Sequence, residues 1–120
     1  MSLDVTLYRG YHISYDGGKT LEAREEIVFD ANITHNLREM ADKAGIYKCC
    51  WAPEDIGATK AKDIISLLEN GYNKLKENPE FFNKFNPPNG WGTYKVFVLW
   101  VKEYLDACKL YPDAMIVASR

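Results

Sequence analysis

The spacing of apolar residues changes once along this chain, and that change limits its fold more than any other feature. Near the start, Leu3, Val5 and Leu7 alternate with Asp4, Thr6 and Tyr8. A period of two buries one face of a strand and leaves the other in water. From Leu37 onward the interval becomes three or four. Leu37, Met40, Ala41 and Ala44 form a first stripe, and Ala61, Ile64, Ile65, Leu68, Tyr72 and Leu75 a second. Tyr94, Phe97, Val98, Val101, Leu105 and Cys108 form a third. Such stripes bury one side of a helix. Strands followed by helices exclude an alternating βαβ chain and predict an α+β domain.

The elements follow from their punctuation. Tyr11 to Tyr15 reads as a second strand after Arg9-Gly10, and Asp16-Gly17-Gly18-Lys19 as a tight turn that needs positive φ. A further strand is expected around Glu25 to Phe29. Asn36 and Glu39 have the spacing of a capping box for the first helix, and Gly45 ends it. Ile46 to Glu54 reads as an irregular aromatic connector. Thr59 caps the second stripe, Pro79 opens a short helix through Phe81, Phe82 and Phe85, and Thr93 caps the last long helix. Ala114 to Ser119 is a closing strand that returns beside the first. The expectation is one domain over residues 1–120: a small antiparallel or mixed sheet of about four strands, with three to four helices on one face.

Composition enters where function is concerned. Fifteen Lys and Arg against seventeen Asp and Glu leave a net charge of −2, which gives no basic excess for nucleic-acid binding. The longest apolar run, Val96 to Val101, is far short of the roughly 20 residues of a membrane span. The opening Met1-Ser2-Leu3-Asp4 lacks the basic and apolar regions of a secretory signal, so a cytoplasmic location is expected. Accordingly, the Asn32-Ile33-Thr34 sequon reads as chance. Cys49, Cys50 and Cys108 have neither disulfide nor zinc spacing and read as buried thiols. Neither a metal nor a cofactor is expected.

Two polar turns remain as candidates for chemistry. His35 lies between Thr34 and Asn36 at a helix start, and its ring can donate, accept or titrate near neutral pH. Asn89-Gly90-Trp91-Gly92-Thr93-Tyr94 combines an aromatic face with a helix N-terminus, where free N–H groups favour anions. Trp51 is expected as the other wall of such a pocket. His12, the acidic pairs Glu25/Glu26 and Glu54/Asp55, and the lysines of the second helix read as structural or solvated.

Read together, Asn32-Ile33-Thr34-His35-Asn36-Leu37 and Asn89-Gly90-Trp91-Gly92-Thr93-Tyr94, with Trp51-x-Pro53-Glu54 between them, carry a resemblance. The chain resembles a family of small uncharacterised proteins of bacteria and their phages, over residues 1–8 and 30–120. The resemblance marks the His35 turn, Trp51 and the Gly-Trp-Gly turn as hallmark positions. Its phage connection implies sequestration of a nucleotide-type signal in the host cytoplasm. Three functions are therefore carried forward. The first is non-catalytic binding of a small anionic planar ligand such as a nucleotide, through His35, Asn36, Trp51, Asn89, Gly90, Trp91, Gly92, Thr93 and Tyr94. The second is a small hydrolase or transferase with His35 as acid–base. The third is a protein-interaction or inhibitor module, and a homo-oligomer is compatible with each.

Overall fold

A computed structural model describes all 120 residues. The chain runs through β1 (Ser2–Ile13), β2 (Glu22–Thr34), α1 (Arg38–Lys43), α2 (Tyr47–Trp51), α3 (Ile65–Glu77), α4 (Pro79–Asn83), α5 (Tyr94–Leu110) and β3 (Met115–Ser119). The strands form one antiparallel sheet in the order β2-β1-β3. Leu3, Val5 and Leu7 are buried against the helices while Asp4 stays in solvent, as the alternation requires. The return of β3 beside β1 places Ile116 opposite Leu7 and Ala118 opposite Val5. The fold is α+β, and no helix is long and apolar enough to cross a membrane.

The sheet has three strands because the two strands read on either side of Gly10 are one. Gly10 lies opposite Glu25 within the β1–β2 ladder, and its φ is not positive. The turn comes later, where Gly17 and Gly18 adopt φ of 74° and 94°. Asn32 to Thr34, read as part of a polar turn, instead completes β2. A register shift between Leu7 and Tyr8 leaves Val28 as an extra residue in β2, and such a bulge bends the strand locally. Beyond Tyr8, which pairs with Met115, β1 and β2 continue without a third strand. This two-stranded arm contributes to a long axis of 59 Å in a molecule 27 and 23 Å across.

The helices cover one face through a single apolar cluster. On α5, the buried stripe is Phe97, Trp100, Val101, Tyr104, Leu105, Ala107 and Cys108, which adds Trp100 and Tyr104 to the expected residues. Thr93 caps α5 by accepting from the Val96 N–H, as its sequence predicts. The segment expected to be irregular contains α2, followed by a 3-10 turn over Pro53–Ile56. That helix forms because Cys49, Cys50 and Trp51 are buried, so packing outweighs its modest local propensity. Gly71 lets α3 approach the chain closely: a Cβ there would lie 2.2 Å from Ile46 Cγ2.

Candidate functional site

The end of β2 turns directly into a 3-10 segment, His35–Leu37, and then into α1. Thr34, not Asn36, caps this start, its hydroxyl accepting from the Asn36 N–H at 3.2 Å. Thr34 has the extended backbone that a cap needs, whereas Asn36 already lies within the turn. Arg38 follows three residues after His35, and its Nε donates to the His35 carbonyl at 3.0 Å. That bond fixes the guanidinium beside the imidazole and leaves its two terminal nitrogens free of protein partners.

The second turn comes from the other end of the chain. The Asn89 side-chain oxygen accepts from the Trp91 N–H at 3.0 Å, and Gly90 and Gly92 adopt φ of 73° and 90°. Gly92 also explains why the two turns meet. A Cβ on Gly92 would lie 2.7 Å from Thr34 Cγ2 and 3.0 Å from Leu37 Cδ1, so only a bare backbone fits against the first turn. Trp91 is 71% exposed. Between the turns opens a cleft of about 660 Å³, lined by His35, Asn36, Arg38, Asn89 and Trp91, with Asn32, Thr34 and the first two residues completing it.

Hydrogen bonds within the protein decide what this cleft offers to a ligand. Trp51 Nε1–H donates to His35 Nδ1 at 2.9 Å. The neutral imidazole therefore carries its proton on Nε2 and presents a donor. Its pKa is lowered from the usual histidine value, first by burial and then by the positive Arg38. The indole acts in the same direction, because a second proton on Nδ1 would meet an N–H. The Asn89 oxygen is occupied by Trp91, which leaves its NH₂ as donor. Conversely, Asn32 gives its NH₂ to Ser2 Oγ and Asp4 Oδ1, at 2.8 and 2.7 Å, and keeps an acceptor oxygen. Donors predominate, Arg38 adds a positive charge, and no carboxylate lines the cleft.

Three sequence expectations change here. Trp51 is 1% exposed and lies beneath the cleft, with ring centroids 5.7 Å from Tyr47 and 6.4 Å from Trp100. Its face is used by the core, so it cannot stack on a ligand; its N–H orients His35 instead. The N-terminus of α5 is not free to hold an anion either. Asn86 Oδ1 accepts from the Tyr94 N–H at 2.7 Å, and Thr93 Oγ1 from the Val96 N–H at 3.3 Å. Thr93, Tyr94 and Gly90 accordingly lie outside the cleft lining, and the Tyr94 hydroxyl donates to the Leu75 carbonyl. Arg38 and Asn32 were missed as site residues. The i, i+3 spacing of His35 and Arg38 on one helical turn was the available signal for Arg38.

Elsewhere the reactive groups are quiet. Cys49, Cys50 and Cys108 are buried free thiols, and burial pushes Cys108 up to about 12. No group of three His, Cys, Asp or Glu side chains is placed to hold a metal ion. Compared with known proteins, the chain matches no family model, no curated protein and no solved structure.

Proposed function

We propose that this protein binds a small anionic, planar ligand of nucleotide type in the cleft between the His35 and Trp91 turns, without transforming it. The observation that carries the reading is the convergence, across more than fifty residues of sequence, of Arg38, the His35 Nε2–H and the Asn89 NH₂ around an exposed indole. A donor-rich, carboxylate-free wall suits an oxyanion, and an exposed indole suits a ring. Asn32 adds one acceptor for a polar edge. Sequestration of a nucleotide-type signal, which the resemblance to phage proteins implies, fits a site that holds and does not cut.

The chemistry at His35 argues against acid–base catalysis. A histidine base is ordinarily oriented by a carboxylate or carbonyl that accepts from one ring nitrogen while the other takes a proton. Here the orienting group is a donor, so the outward nitrogen is already protonated.

A thermal-shift screen with mono- and cyclic nucleotides, nucleosides and inorganic phosphate tests the reading. At least one nucleotide should raise the melting temperature and be recovered chemically intact. Absence of any nucleotide shift would remove the proposed ligand class, and recovery of an altered nucleotide would replace binding with catalysis.

A further inference from the structure

The two outer strands of the sheet are finished differently. The free edge of β2 carries Glu22, Arg24, Glu25, Glu26 and Asp30, the charged residues with which proteins keep an edge from pairing. The opposite strand, β3, is Met-Ile-Val-Ala-Ser and has no charge and no proline. Its outer edge is also half-started as a ladder. Lys60 forms an antiparallel bridge to Met115, and the Ile116 N–H donates to the Thr59 carbonyl at 3.0 Å.

The chain then abandons that fourth position. The Thr59 N–H, which would complete the pair by donating to Ile116 O, goes to the Asp63 carboxylate at 3.0 Å. Gly57, at φ 70°, turns the backbone away. Because backbone groups alternate sides along a strand, the Ala118 N–H and C=O point the same way as those of Ile116, away from β1. They face a groove of about 440 Å³ between β3 and the Pro53–Thr59 segment. Arg120 fixes the width of that groove by donating to the Trp51 carbonyl and the Glu54 carboxylate.

We propose that this groove takes a short extended segment of another protein as a fourth, antiparallel strand, held by the N–H and C=O of Ala118. A second copy of this chain does not fit, since its own β3 edge is walled by the same Pro53–Thr59 segment and the two walls would collide. Charge further specifies the occupant. Glu54 and Asp55 stand on the wall with Arg120 as their one cation, so the segment carries a basic residue at the end that enters beside them. Antiparallel addition makes that end its N-terminal one.

The test is a ¹⁵N titration of the full chain with acetyl-Lys-Thr-Val-Thr-Val-amide, and with the same peptide N-methylated at its central valine. The unmodified peptide should shift the Ala118 amide, with changes confined to Pro53–Thr59 and Met115–Ser119. N-methylation, which removes one edge hydrogen bond and crowds the strand, should weaken binding by roughly tenfold. Equal binding of both peptides would overturn the proposal, as would failure of the first to move Ala118 at millimolar concentration. Concentration-dependent protection of Ala118 without any peptide would assign the edge to a second copy instead. None of these outcomes depends on the His35 cleft.

Discussion

The indole–imidazole bond between Trp51 and His35 sets the proton position on which the cleft's donor character rests. Trp51→Phe keeps a ring in the core but removes the N–H, at a cost of about 1–3 kcal/mol from a lost hydrogen bond and a smaller side chain. In that variant the His35 pKa should rise, and ¹⁵N imidazole spectra should show both tautomers where the parent shows only Nε2–H. A lowered histidine pKa in the fold also has a defined sign in stability. Its contribution is complete above the unfolded value near 6.5 and is lost as pH falls toward the folded pKa, because the unfolded chain takes up the proton first. The slope of stability between those points should shrink in Trp51→Phe, as urea melts across pH 5–8 would measure. Tyr104 offers a contrasting case. Its hydroxyl is buried with no partner, so Tyr104→Phe should melt no lower than the parent and gain up to about 1 kcal/mol. Neither role was legible in the sequence. Trp51 and His35 are 16 residues apart, and nothing in local spacing says that a core tryptophan will donate to a turn histidine.

Among the elements, strands and long helices were readable because each has one buried face and therefore one period. Leu3 to Leu7, the α3 stripe and most of the α5 stripe were read correctly for that reason. The errors fall where burial is not periodic. Gly10 was taken as a strand break although it sits in a ladder, and α2 was taken as irregular because five residues show no repeat. The two candidate turns were legible as turns, through Asn, Gly and Thr, but their meeting was not. It depends on the space above Thr34 and Leu37 that Gly92 leaves empty. Gly92→Ala combines a strained positive φ with a contact of 2.7 Å, and should lower stability by about 1–3 kcal/mol. It should also push the Trp91 turn off the His35 turn. Equilibrium unfolding measures the first effect, and loss of nuclear Overhauser contacts between Gly92 and Thr34 the second. An unchanged melt would mean that the two turns are not in contact in solution.

At the scale of the whole molecule, the sheet divides into a covered part and a bare one. Up to Tyr8 the strands are backed by helices and flanked by β3; beyond it, Arg9–Ile13 and Glu22–Glu26 pair only with each other. A two-stranded ribbon without a core is marginal in water. Amides that bridge the strands of the arm should therefore exchange with solvent far faster than those of Val5 and Leu7, as hydrogen exchange followed by NMR would show. Equal protection would mean that something packs on the arm. The cleft lies at the covered end of the sheet, where Ser2, Asn32 and Thr34 are held in register, so its geometry does not depend on the arm. The account's central claim is that the His35 and Trp91 turns form one ligand site. Its most direct measurement is an NMR titration with the nucleotide that stabilises the protein most in the thermal screen. The Trp91 indole N–H and the His35 Nε2 signals should move together, saturate with a single Kd, and respond far less in Arg38→Gln. If the nucleotide moves one of the two signals without the other, or shifts residues elsewhere while both stay still, the claim is contradicted.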